Sequence, residues 1–140
     1  MNAAAFGSGL LLVIDTSAWH RQGEPGVLKA WEAAVEAELL VSCPAAALEI
    51  LGGVRDEREF KIVDEALGAL PQAPVTASAC RAALGACRDL GARRRIPAAD
   101  YLIAAAAAER GFGVLHADKH FELLAEVLGF ESVRVAAGAR

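Results

Sequence analysis

The chain has no surplus of positive charge. Its 140 residues carry 18 acidic and 14 basic side chains, a formal net charge of −4. No general field draws it to nucleic acid, and any such work needs local basic patches or bound cations. Cysteine is sparse, and Cys43, Cys80 and Cys87 include no CxxC pair, so zinc-ligand spacing is missing. Cys80 and Cys87 fall on one helical face, and the cysteines are expected to be small core residues in a reducing compartment. Long apolar runs are missing too. The first, in "GLLLVID", stops at Asp15 without a basic segment before it, unlike an export signal. "AADYLIAAAAAERG" is too short and too interrupted by acids to span a bilayer. These absences predict a soluble cytoplasmic protein. There is also no Gly-rich phosphate loop, internal repeat, low-complexity tract or long linker.

What is present is a globular pattern, with 55% hydrophobic residues. "GLLLVID", "ELLVSCP", "PQAPVT", "GVLHAD" and "ESVRVA" read as five short strands. Helices are predicted over Gly26 to Ala37, with Val27, Leu28, Trp31 and Val35 on one face, and over "AAALEILGGV". Another covers Asp56 to Leu70, with Phe60, Val63, Leu67 and Leu70 in register for core or interface. Ser78 is the expected cap of a helix reaching Leu90. Pro97 is expected in the first turn of a helix ending at Gly111, and "KHFELLAEVLG" forms the last. The order β-α-β-α-α-β-α-α-β-α-β predicts α/β class, one domain over residues 1–140, with helices on both faces of a mostly parallel sheet.

The stretch "VIDTSAW" ends an apolar strand on Asp15 and follows it with Thr16 and Ser17. Turn chemistry accounts for that order, since all three side chains bond nearby backbone; a metal or phosphate site also does. Other acids recur in comparable settings. Asp118 ends the fourth predicted strand, and Asp100 stands in the first turn of the Pro97 helix, where the helix dipole favours negative charge. Glu49 follows the second strand among apolar neighbours that leave it little exposed face. Because ligands of an open parallel sheet bind at the carboxyl ends of its strands, the four acids are expected to meet there. Four close carboxylates need a cation among them, and hard oxygen donors suit Mg²⁺ or Mn²⁺. The predicted chemistry is metal-assisted phosphodiester hydrolysis, with Asp15, Asp100 and Asp118 on the metal and Glu49 completing the cluster or orienting the attacking water.

"VIDTSAW", "CPAAALEILGG", "RIPAADYLIAAAA" and "VLHADKHFELLA" resemble the successive signature segments of PIN-domain proteins. More narrowly, they are similar to the VapC-type toxin ribonucleases of bacterial toxin–antitoxin systems, over about Leu11 to Val135. The resemblance implies a three-layer α/β/α sandwich, Mg²⁺- or Mn²⁺-dependent RNA cleavage, a VapB-type antitoxin partner and a homodimer. It matches Asp15, Glu49, Asp100 and Asp118 to the family's acidic quartet, and Thr16 or Ser17 to a hydroxyl supporting the first acid or its waters. His116 stands where many members have Thr, and His120 where many have a further acid.

Around these acids lie candidate substrate contacts. Arg93, Arg94 and Arg95 precede Asp100 and suit phosphate oxygens; Arg55, Arg58 and Lys61 form a second possible rim. Trp19 stands beside the expected site and is a candidate for base stacking, whereas Trp31 reads as core. His20, His116 and His120 match no zinc spacing, and His116 is the one expected near the site, as a supporting donor or substrate contact. Other classes fit less well. A haloacid dehalogenase-type enzyme needs a second Asp where Ser17 stands, and a receiver domain needs an acceptor Asp that "PVTASAC" lacks. A PIN nuclease of RNA processing outside any toxin pair, or a catalytically silent binding module on the same fold, is the competing reading.

Overall fold

Three of the apolar runs become buried strands. In the computed structural model, which describes residues 6, 9–92 and 94–135, these are Leu12–Ile14 (β1), Leu40–Val41 (β2) and Gly113–His116 (β3), joined by Ser132–Arg134 (β4). All four pair in parallel, in the order β2-β1-β3-β4, with Val13 opposite Val41 on one side and Val114 on the other. The helices are Thr16–Trp19 (α1), Leu28–Glu36 (α2), Pro44–Gly52 (α3), Glu57–Gly68 (α4), Ala77–Leu90 (α5), Ala98–Arg110 (α6) and His120–Leu128 (α7).

Strand alternation sorts the core into two layers. Val13, Val41 and Val114 pack with buried residues of α3, α5, α6 and α7, while Leu12, Ile14, Leu40 and Leu115 pack with Ala18, Trp31 and Ala34 of α1 and α2. This is the three-layer α/β/α arrangement expected from the sequence. The sheet is tight at its centre. A Cβ on Gly113 would lie 2.8 Å from the Glu131 carbonyl oxygen and 2.9 Å from Leu12 Cδ2, so β3 approaches both neighbours only with glycine there.

Several local expectations need correction. "PQAPVT" is not a third strand: it makes a single bridge, in which Ser42 N–H donates to Pro71 O and Ala73 N–H to Ser42 O, both at 2.8 Å. Pro71 and Pro74 have no N–H to continue a ladder. Thr76, not Ser78, caps α5, its hydroxyl accepting from Ala79 N–H at 3.0 Å. Pro97 stands just outside α6 as its N-cap, and Gly111 closes that helix in the left-handed region. On α2 the buried strip is Val27, Trp31 and Ala34, while Leu28 and Val35 are 44% and 42% exposed. Cys43 is buried, but Cys80 and Cys87 are exposed, one position off the strip Ala79, Ala83 and Ala86 that α5 turns inward. On α4 only Leu67 is fully inside; Phe60 and Ile62 are 37% and 60% exposed. No helix among the described residues is long and apolar enough to cross a membrane.

Candidate active site

A doubly wound parallel sheet opens a crevice where successive connections leave in opposite directions, at the carboxyl ends of the strands flanking that switch. Here those strands are β1 and β3. Asp15 follows β1 directly, and its N–H donates to Leu115 O of β3 at 3.0 Å. Its carboxylate, 3% exposed, caps α1, accepting the Ser17 N–H at 2.9 Å and the Ser17 hydroxyl. The turn reading and the site reading of "VIDTSAW" therefore coincide, because the cap holds the carboxylate at the crevice.

The two hydroxyls after Asp15 have separate partners. Ser17 Oγ, besides donating to Asp15, accepts from Ala117 N–H at 2.9 Å, tying the end of β1 to the loop after β3. Thr16 Oγ1 donates to Glu49 Oε1 at 2.7 Å, drawing that side chain from α3 toward α1. Glu49 is exposed, contrary to the expectation from its apolar flanks, since Leu48 beside it is itself 74% exposed. Removing the Ser17 hydroxyl leaves Ala117 N–H unpaired and Asp15 held by one bond. Ser17→Ala should cost about 1–3 kcal/mol of stability in chemical denaturation and weaken divalent-ion binding about tenfold in calorimetric titration.

Asp100, 5% exposed, projects from the first turn of α6. Its Oδ2 lies 3.3 Å from His120 Nδ1, which lies 3.2 Å from Asp118 Oδ1. Asp118 Oδ1 also accepts the His120 N–H at 3.0 Å, capping the start of α7 from within the loop. Two groups of ligand atoms result, Asp15–Glu49–Asp100 and Asp100–Asp118–His120, in each of which the atoms lie within 4.8 Å of one another. Asp100 belongs to both. His120 is the member that the reading of the sequence missed. The signal was available in outline, since it opens a helix at the carboxyl edge of the sheet, as Asp100 does.

His116 lies beneath the crevice, fully buried. Its Nδ1 accepts Asp118 N–H at 3.2 Å, so Nε2 carries the proton and donates to Ser132 Oγ at 2.6 Å. Burial, with the charge of Arg134, pulls its pKa down to about 4. The ring is thus a neutral strut for the Asp118 loop, and its burial rules out the expected alternative of a substrate contact.

Burial pushes the Asp15 carboxyl above its ordinary range, against the Ser17 hydrogen bonds that lower it. Asp100 rises to about 7, first through burial and then through the charge of Asp15, with His120 opposing. A carboxyl whose folded pKa exceeds its unfolded value stabilises the fold below the unfolded pKa, and that contribution fades as pH climbs through the folded one. In EDTA the melting temperature should therefore fall between about pH 4 and pH 7. Divalent cation should restore most stability above about pH 7, where Asp100 is charged; a flat profile would contradict this.

The candidate substrate contacts separate into two places. Arg94 and Arg95 line a cavity of about 520 Å³ with Lys119, His120 and Glu122, directly beside the acids. Arg55 and Trp19 line a different one, of about 370 Å³, with His20 and Asp56. Trp19 is half-buried, its ring edge-on to Trp31 at 6.1 Å. Arg93 lies outside the described residues.

Residues 12–127 match the family model of the PIN domain. The chain belongs to the PIN-domain family. Among curated relatives, this PIN domain is 40% identical over 124 residues to ribonuclease VapC51 of Mycobacterium tuberculosis, covering 86% of this chain and 89% of that protein. It is 31% identical over 125 residues to ribonuclease VapC18 of the same organism, covering 86% and 91%. Its fold matches a chain in the crystal structure of VapBC-5 from Mycobacterium tuberculosis, a member of the VapBC family of toxin–antitoxin systems. That match has a TM-score of 0.65 and 22% identity, and covers 89% of this chain and 98% of the other. The donor set of this PIN domain, four carboxylates and one imidazole with two of the acids buried, fits a divalent cation.

Proposed function

We propose that this PIN domain, as a single domain over residues 1–140, is a metal-dependent endoribonuclease and the toxin of a toxin–antitoxin pair, inhibited by a VapB-type protein. The observation that carries this reading is the convergence of Asp15, Glu49, Asp100 and Asp118 on the β1–β3 crevice. Two relatives named as VapC ribonucleases support the substrate class, and the likeness in fold to a chain of a VapBC toxin–antitoxin structure supports the partner. Asp15, Asp100 and Asp118 would hold Mg²⁺ or Mn²⁺, with Glu49 completing the set. A divalent ion bound there lowers the pKa of water and stabilises the charge that builds on a phosphodiester under in-line attack.

The chain's own residues prepare that step. Ser17 fixes the direction of the Asp15 carboxylate, and His116 holds the Asp118 loop by its backbone. Glu49, anchored by Thr16 and open to solvent, accepts a hydrogen bond from the attacking water and orients it. Arg94, Arg95 and Lys119 on the adjoining cavity bind flanking phosphates, a local attraction that a chain of net charge −4 requires. Arg55 and Trp19 offer a second contact for the strand. The protein acts in the cytoplasm, and the open apolar side chains Phe60 and Ile62 of α4 provide for a homodimer.

The test is incubation of purified protein, freed of its antitoxin, with total cellular RNA in Mg²⁺, Mn²⁺ or EDTA. Discrete fragments in metal and none in EDTA are expected. Intact RNA under every metal, from folded protein, would overturn the nuclease reading in favour of a binding module.

A further inference from the structure

The acids account for two corners of the cluster at α6 and α7, Asp100 and Asp118, and the third side chain there is not an acid. His120 directs one nitrogen at two carboxylates at once: Nδ1 is 3.3 Å from Asp100 Oδ2 and 3.2 Å from Asp118 Oδ1. A single N–H points along one line and serves one acceptor well, whereas a cation among the three atoms serves all of them. Resting on the metal-dependent reading above, we propose that His120 is itself a metal ligand, so that Asp100, Asp118 and His120 present a mixed oxygen–nitrogen face preferring Mn²⁺ to Mg²⁺.

The spacing suits that role. Around a six-coordinate ion with bonds of about 2.1–2.2 Å, neighbouring donor atoms stand roughly 3 Å apart, close to the two separations observed. The ring is also held in place before any ion arrives. The His120 N–H is bonded to Asp118 Oδ1 at 3.0 Å, and the next residue, Phe121, is fully buried and anchors the first turn of α7. The remaining histidines do not compete. His116 has both ring nitrogens bonded inside the protein, and His20 lines the other cavity.

The consequence for ion choice follows from donor chemistry. Mg²⁺ favours oxygen donors and holds water tightly. Imidazole favours first-row transition ions, whose affinity for nitrogen exceeds that of Mg²⁺. Where a carboxylate is replaced by imidazole, the site loses negative charge that Mg²⁺ depends on and gains a donor that Mn²⁺ accepts.

Two measurements on the untagged full chain test this. Electron spin-echo envelope modulation of the Mn²⁺-loaded protein should show ¹⁴N coupling from a directly bound imidazole, and His120→Ala should abolish it. Calorimetric titration should show the preference for Mn²⁺ over Mg²⁺ falling about tenfold in His120→Asp, with circular dichroism confirming that the variant is folded. Mn²⁺ bound without nitrogen coupling would overturn the proposal while leaving the carboxylate centre standing. Absence of binding by either ion at millimolar concentration would instead overturn the metal-dependent reading itself.

Discussion

Asp100→Asn should abolish RNA cleavage and, at the same time, raise the melting temperature of the metal-free protein at pH 8. The first effect follows from position. Asp100 is the side chain shared by both groups of ligand atoms, so its loss breaks each of them, and removal of one member of a catalytic unit costs about 10⁴–10⁶-fold in rate. The second follows from what a buried carboxylate costs. Asp100 is almost fully buried close to Asp15, and burial and repulsion hold its pKa at about 7. Above that value the folded metal-free protein carries its charge without a cation to balance it. Asparagine keeps the shape and removes the charge. Thermal melts of both proteins in EDTA should show the variant ahead at pH 8, and the gap should close toward pH 5, where Asp100 is protonated and as neutral as the asparagine that replaces it. A variant that melts lower at pH 8 would mean that the carboxylate is structural. Cleavage that survives would remove Asp100 from the site.

Such an arrangement, stabilising only when a cation is present, could be anticipated in the sequence because its acids stand at places with meaning in a parallel sheet. Asp15 and Asp118 close strands that read as continuous apolar runs, and Asp100 stands in a helix's first turn. Those positions translate directly into the carboxyl edge of the sheet. What the sequence concealed depends on tertiary detail. Nothing in "DTS" says that Ser17 turns back to Asp15 while Thr16 reaches α3 for Glu49. His120 matched no metal-ligand spacing, because its partners are Asp100, on another helix, and Asp118, whose carboxylate it meets through a cap. Faces were misjudged by a single position: α2 turns Ala34 inward beside Val27 and Trp31 where Val35 was expected, and α5 turns Ala79, Ala83 and Ala86 inward where Cys80 and Cys87 were expected. The supposed third strand failed for a local reason, two prolines within four residues, which outweighed the pattern around them.

Phe121→Ala should be among the most damaging changes outside the acids themselves, lowering stability by about 3–5 kcal/mol and the melting temperature by roughly 10–15 °C. Phe121 has no exposed surface and is among the largest such side chains in the protein. Its ring packs on His116, with centroids 5.3 Å apart, and truncation leaves a cavity under the crevice that the surrounding strands cannot close. The site should feel that loss. His116 holds Asp118 by its backbone N–H, and Phe121 fixes the turn that carries His120, so both sides of the Asp118–His120 pair rest on the same ring. Divalent-ion affinity should therefore fall with stability in Phe121→Ala, measured well below its melting temperature, and Phe121→Leu should recover most of both. Stability lost with unchanged ion affinity would show that the Asp118 loop is held by its hydrogen bonds alone. Loss of both would show that the packing beneath the crevice sets how closely its carboxylates can be held together.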